Sequence, residues 1–444
     1  MKGLLEVFKS KSFTSLLGNG VSALLGMLSF SILARFTNKQ EFGTWVLFLA
    51  TYGIFDTLRT GLVLNAFIKN YTQAKSLEEE KTIVGSALQL SFLVTLIYSV
   101  VIGIIYLFFY LFNVLNEYHY FFMWYLLIGI FSMPFNFATW YLNARMQILQ
   151  MSIVRIVNQI LFVVLILPML LLFTEQRIFY VLIAYTIAQV LTTVFCIIKG
   201  WTGFNYYVHR THKSLTGLFH FGKFSMGTLI GSNLIKNSDS FLIGKFMNSV
   251  AVATYSVPSK VVEVFELVIR SFAITNMPLL SALHAKNDIP LLRKEFERKT
   301  GFLFLLLLPA ALFCFVFAEQ IVVLLAGVQY KDAAIILRLF AVYTALTPID
   351  KLSGVMLDII DKPQLNFIKV ILMLSVNVIG DIVCLKVFGT LESVAIVSTL
   401  TFATGVLYGM VLLKKQIDVS FTNLFVLGYE EMQNKFNQIT QSKK

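Results

Sequence analysis

Residues Thr82–Phe112 read TIVGSALQLSFLVTLIYSVVIGIIYLFFYLF, 31 consecutive positions without a charged side chain. A helix rises 1.5 Å per residue and crosses a hydrocarbon core of about 30 Å in roughly 20 residues, so this stretch is long enough to span a bilayer. Lys81 stands before it, and an aromatic cluster at its far end includes Phe108, Phe109, Tyr110, Tyr118, Tyr120 and Trp124. Such a cluster marks the membrane–water interface.

The same criterion, carried outward in both directions, finds eleven further spans: 12–34, 42–67, 121–143, 156–173, 178–198, 224–247, 252–278, 300–317, 333–356, 368–388 and 393–413. The predicted fold class is therefore an all-α membrane protein of about twelve transmembrane helices. Composition agrees, with 57% hydrophobic and 14% charged residues among 444, far from the roughly 25% charge of a soluble domain. The segment 12–34 follows Lys2, Lys9 and Lys11 but is longer than a cleavable apolar core of about 7–15 residues, so it reads as a retained first span.

The net charge of +12 does not point to nucleic acid, because the basic residues punctuate apolar runs and do not cluster on a water-exposed domain. With the N-terminus placed in the cytoplasm, the cytoplasmic segments hold 24 Lys and Arg and the opposite side holds 6. Lys69, Arg155, Lys199, Arg210, Lys299 and Lys369 belong to the first group. The positive-inside rule then puts both termini in the cytoplasm, with membrane lipids as the counterpart of the positive charge. Cys196, Cys314 and Cys384 lie far apart in apolar runs and read as buried small hydrophobes. His209 and His212 form a pair in a basic loop without further ligands, and no metal site is expected.

An internal repeat appears at an offset of 210 residues. Arg35-Phe36 and Gly43-Thr44-Trp45 align with Lys245-Phe246 and Ala253-Thr254-Tyr255, and Asp56 falls on Glu266. Both stretches join the first and second spans of a six-span half, which predicts halves 1–213 and 214–415 of one orientation, followed by a cytoplasmic tail, 416–444. The tail reads as a surface helix.

Ionisable residues at membrane depth cost at least about 2.5–3.5 kcal/mol each and need a partner or a watery cavity. Asp56 and Arg59 share a face of the second span, Lys236 and Asp239 a face of the seventh. In the eighth, Lys260, Glu263, Glu266 and Arg270 fall within an arc of roughly 120° over about 15 Å. Four charges on one face exceed what packing needs, so a polar cavity is expected. Arg338, Asp350, Lys351 and Asp381 are weaker candidates of the same kind. Other motifs carry less: Gly18-Asn19-Gly20 lies inside a span with no strand before it and reads as close helix packing, as do Gly227-x-x-x-Gly231 and Gly405-x-x-x-Gly409. The run 217–224, GLFHFGKF, lacks the hydroxyl a phosphate loop needs.

Leu33-Ala34-Arg35-Phe36 followed by Glu41-Phe42-Gly43, and Asp239-Ser240-Phe241-Leu242-Ile243-Gly244 leading to Ala253-Thr254-Tyr255, in a chain of two six-span halves, resemble the O-antigen flippase family. That family is the polysaccharide-transport branch of the superfamily that also contains the multidrug and toxin extrusion antiporters. The resemblance covers nearly the whole chain. It implies a MATE-like architecture and flipping of an undecaprenyl-pyrophosphate-linked oligosaccharide, such as an O-antigen repeat unit, to the periplasmic leaflet of a bacterial inner membrane by alternating access. It implies no catalysis and no cofactor. Arg59, Lys236, Lys260 and Arg270 are then the candidates to compensate the pyrophosphate charge. Should a gradient of H+ or Na+ drive the step, Asp56, Asp239, Glu263 or Glu266 are the candidates to bind the cation. Other polysaccharide-assembly proteins are candidate partners.

Two alternatives remain in view. A multidrug antiporter favours an acidic cavity for cationic drugs. A membrane glycan polymerase calls for a large outer loop and a glycosyltransferase for a soluble domain with metal-binding carboxylates; Asp358 and Asp361 come closest, and capping a helix end explains them as well.

Overall fold

The computed structural model describes residues 11–112 and 119–441. Lys2, Lys9, Tyr118, Lys443 and Lys444 lie outside them, as do the side chains of Lys11 and Tyr120 and the surroundings of Gly227 and Gly231. The described chain is built of helices: α1 (Lys11–Phe36), α2 (Lys39–Gln73), α3 (Leu77–Leu111), α4 (His119–Ala144), α5 (Ile148–Leu172), α6 (Arg177–Ile198), α7 (His212–Phe246), α8 (Ser249–Ala285), α9 (Ile289–Val316), α10 (Ala318–Ala326), α11 (Ala334–Ile359), α12 (Pro363–Val387), α13 (Leu391–Ile417) and α14 (Phe421–Gln441). Short 3-10 turns occupy Phe204–His209 and Val328–Ala333.

Twelve of these helices fall on the twelve expected spans in order. Ten are long and apolar enough to cross a membrane, and the chain is a multi-pass membrane protein. The other two open the two sets of six: α1, whose apolar part is Gly20–Phe36, and α7, which carries Asn233, Lys236, Asn237, Ser238 and Asp239.

The spans continue past their apolar stretches because the charged residues at their ends are accommodated within the helix. Arg155, expected in a connection, is an exposed residue in the opening turns of α5. Lys369, counted with the cytoplasmic charges at the start of the span 368–388, is only 3% exposed in α12, where a carboxylate pairs with it. Helix starts are set by side-chain caps. Asn38 accepts the Glu41 N–H at 2.8 Å, and Asn248, 210 positions later, accepts the Ala251 N–H at 2.9 Å. α1 and α7 therefore end, and α2 and α8 begin, at the positions the repeat pairs.

By mutual contact the chain divides between Asn237 and Ser238, inside α7. In the first unit α1 packs on α5, α5 on α6, α4 on α6, α3 on α4, and α2 on both α3 and α4. The opening three quarters of α7, as far as Asn237, also belong here, with Leu218 in the core formed by Leu62, Val63, Phe67, Leu88 and Phe137. Within the second unit α12 packs on α13, α11 on α13, α9 on α11, and α8 on α9 and α11. The last turns of α7 meet α12 through Ser238 and Asn377, 2.6 Å apart. Counted as α7, α8, α9, α11, α12 and α13, the second set shares with the first the packing of its second helix on the third and fourth, of the third on the fourth, of the fourth on the fifth and sixth, and of the fifth on the sixth.

Small residues permit the close crossings. A Cβ at Gly18 would overlap Ser152 of α5, whereas Gly20 faces open space. At Gly405 and Gly409 of α13 a Cβ would strike Asp350 and Ser353 of α11, the close approach expected for that pair of glycines.

The expected tail helix is α14. It crosses α9 where Gly301 meets Leu424 and Gly428 with no room for a side chain. Glu431 bonds Arg298 and lies 3.0 Å from Lys299, Arg293 lies 2.9 Å from Asp418, and the Ser420 N–H donates to Glu297 at 2.7 Å.

Candidate functional site

In the first unit the ionisable centre is Arg59 on α2. Its side chain is wholly enclosed, at 0% exposure. One Nη bonds Asp56, a turn earlier, and donates to Ser132 Oγ of α4 at 3.2 Å. The other donates to Thr95 Oγ1 of α3 at 3.2 Å and to the Gly129 carbonyl of α4 at 3.3 Å, and Trp140 lies 6.0 Å beneath the guanidinium. Asp56 keeps an open edge and also accepts from Asn136 Nδ2 at 3.1 Å. The planar fork thus ties three helices together, as a guanidinium can and an ammonium cannot. The spacing of Asp56 and Arg59 was legible in the sequence; their partners Thr95, Ser132 and Asn136, on other helices, were not.

In the second unit the centre is Asp239. Oδ1 accepts from Asn377 Nδ2 of α12 at 3.1 Å, and Oδ2 accepts from Tyr255 Oη of α8 at 2.5 Å and from Ser398 Oγ of α13 at 3.1 Å. Asp381, one turn beyond Asn377, brings a second carboxylate into the field of the first. It is 0% exposed, and no donor among the described residues reaches either of its oxygens. Burying ionised carboxylates without compensation costs several kcal/mol. Two carboxylates, an amide and two hydroxyls offer oxygen ligands of the kind hard cations take, an arrangement with the chemistry to hold a cation or to share a proton. Asn377 and Ser398 escaped the sequence reading because single polar residues on apolar helices carry no spacing signal, and Tyr255 entered it only as part of the repeat and the resemblance. Asp381, a weaker candidate there, is central here.

The charges of α8 are arranged differently. Val261, Val262, Phe265 and Ile269 pack inward, and Lys260, Glu263, Glu266 and Arg270 lie on the face that packing leaves open. Lys260 holds Glu263 at 2.7 Å with both side chains partly exposed. Arg270 is exposed and forms no ion pair among the described residues. Lys236 on α7 is exposed too. Of the remaining charges, Arg338 is exposed, and Lys351 lies 5.9 Å over the ring of Phe402. Asp350 is spent on Lys369 at 2.8 Å, an ion pair completed by Ser353 Oγ at 3.0 Å. Asp358 accepts from Asn366 at 3.0 Å and Asp361 faces His284 at 3.2 Å, both at the turn between α11 and α12.

The fold defines the class. It matches the lipid II flippase MurJ in its inward closed conformation with a TM-score of 0.72 at 16% identity, over 96% of this chain and 92% of that one. A multidrug resistance MATE family transporter of the MOP superfamily, in its inward-facing conformation, matches with a TM-score of 0.72 at 14% identity, over 96% and 99%. At such identities the likeness is one of fold.

Sequence supplies the family. The chain belongs to the polysaccharide biosynthesis protein family, whose model matches residues 8–284. The probable low-salt glycan biosynthesis flippase Agl15 of Haloferax volcanii is 22% identical over 209 residues, 47% of this chain. The match spans 44%, under half, of that relative's length. The resemblance drawn from Leu33–Gly43 and Asp239–Tyr255 is met at the level of family and fold.

Proposed function

We propose that this protein flips a lipid-linked oligosaccharide, an undecaprenyl-pyrophosphate-linked repeat unit, from the cytoplasmic to the periplasmic leaflet of a bacterial inner membrane, with both termini in the cytoplasm. The observation that carries this reading is the open stripe of Lys260, Glu263, Glu266 and Arg270 on a membrane-spanning helix of a chain in this family. A pyrophosphate crossing hydrocarbon needs fixed cations, and charge-assisted hydrogen bonds from Arg and Lys are the strong ones. Arg270, Lys260 and Lys236 take that role. Arg59, enclosed by Asp56, Thr95, Gly129 and Ser132, acts instead as the positioning cation of the first unit. Asp239 and Asp381 bind the H+ or Na+ that drives alternating access, Asp56 being the carboxylate of the first unit's charged centre. Family membership and the flippase assignment of the relative support the substrate class; the pyrophosphate and the leaflet direction rest on the cation stripe and the 24 to 6 asymmetry of basic residues. Depletion of the protein tests the reading. One lipid-linked oligosaccharide should accumulate, accessible only from the cytoplasmic face. An unchanged pool of such intermediates would refute it.

A further inference from the structure

The connection from α6 to α7 is strapped along α3. Gly85 of α3 has no room for a Cβ beneath the Tyr206 carbonyl and the Arg210 N–H, and Ser86 Oγ accepts the Thr211 N–H at 3.3 Å. Gly203, at a left-handed φ of +65°, seats the strap against Val84 and Tyr141. So held, Phe204 and Tyr207 close a cleft of about 250 Å³ whose other walls are Leu88, Phe92 and Met133. Phe92 is half-exposed and heads the row Phe92, Leu96, Val100, each at least 50% exposed on a membrane-spanning helix. The cleft therefore opens onto hydrocarbon, and what enters it is an apolar chain.

The other end of the strap is basic. Arg210 is exposed, stands 5.0 Å over the ring of Tyr207 and forms no ion pair among the described residues. His209, His212 and Lys213 are exposed beside it. Glu78, the carboxylate facing His209, is held by Lys81 at 2.6 Å. Gly85, against which the Arg210 backbone rests, and Phe92 are seven residues apart on α3, about 10 Å at 1.5 Å per residue. A cation at that distance from an apolar cleft matches a molecule with an anionic head and a hydrocarbon chain.

We propose that this strap binds an anionic phospholipid of the adjoining leaflet, one acyl chain in the Leu88–Phe92–Met133 cleft and its phosphate on Arg210 and His209. The site lies within the first unit and stands whether or not the chain moves a glycan. A test is to titrate the full-length protein, delipidated in detergent, with phosphatidylglycerol or with phosphatidylcholine of the same chains, counting retained lipids by native mass spectrometry. Wild type should prefer phosphatidylglycerol by about fivefold, the worth of one basic residue near an anionic surface. Arg210→Gln should erase the preference, Arg210→Lys should keep part of it, and Leu88→Trp, which fills the cleft, should lower retention of both lipids. Inorganic phosphate alone should not compete, because the chain supplies much of the hold. Equal retention of the two lipids by wild type, an unaltered preference in Arg210→Gln, or displacement by phosphate would overturn the proposal.

Discussion

Arg59 and Arg270 show how one residue type serves two ends. The first is fully enclosed by four acceptors and the second is exposed without an ion-pair partner among the described residues. Removing one partner of a buried ion pair leaves the other charge uncompensated and costs about 3–5 kcal/mol. Arg59→Ala should therefore lower the melting temperature in detergent sharply, and Arg270→Ala should leave it near wild type; equal melting of both would contradict the distinction. For the second unit, Asp239→Asn and Asp381→Asn should each abolish dependence of transport on a cation gradient. The protein should still insert, since the amide keeps the shape of the carboxyl and removes a buried charge. A mutant whose cation dependence persists would remove the site. The sequence exposed these charges because an ionisable group inside an apolar run stands out. It could not tell enclosed from open, since that depends on neighbours such as Thr95, Ser132 and Asn377, brought near only by the fold.

The spans themselves were legible because bilayer thickness fixes a length and hydrophobicity marks it. Their ends were less so. Lys369 counted as a cytoplasmic charge at the edge of its span because nothing in its own segment announces Asp350 on α11, and α10, nine residues long, is too short to register as a span. The tail helix α14 was expected at a surface, and what the sequence could not supply was its seat. Contact between Gly301 and Gly428 fixes the crossing point, and Glu431 among Arg298, Lys299 and Lys435 fixes the rotation. Burial pushes the Glu431 carboxyl up, but Lys299 and the two neighbouring cations more than reverse this and hold it below the usual carboxylate range. A carboxyl with a depressed native pKa contributes stability above its unfolded value of about 4.3 and loses it as pH falls through the native value. A spin-label distance between α9 and α14 should accordingly stay fixed at neutral pH and broaden only below about pH 4.3. In Glu431→Gln that pH dependence should vanish. Gly301→Leu should separate the helices at every pH; an unchanged distance would deny the close crossing.

For the whole chain we propose duplication, on the matching caps at Asn38 and Asn248 and the helix packings the two sets share. The set α1–α6 is expected to superpose on α7, α8, α9, α11, α12 and α13 in an experimental structure, with an inverted or failed superposition as the contrary result. Cysteine labelling should find the 199–223 connection and both termini on the cytoplasmic side, as the distribution of Lys and Arg requires. Transport itself is the central claim, and proteoliposomes measure it. A pyrophosphate-linked oligosaccharide on a polyprenyl chain, placed in the outer leaflet, is followed by its accessibility to a glycan-cleaving enzyme outside. Wild type should render part of the pool inaccessible, Arg270→Ala and Lys260→Ala should slow this strongly at normal protein levels, and Arg270→Lys should be partly active because charge is kept while the fork is lost. Undiminished movement by a variant lacking Lys236, Lys260 and Arg270 together, or no movement by wild type above protein-free vesicles, would contradict the account.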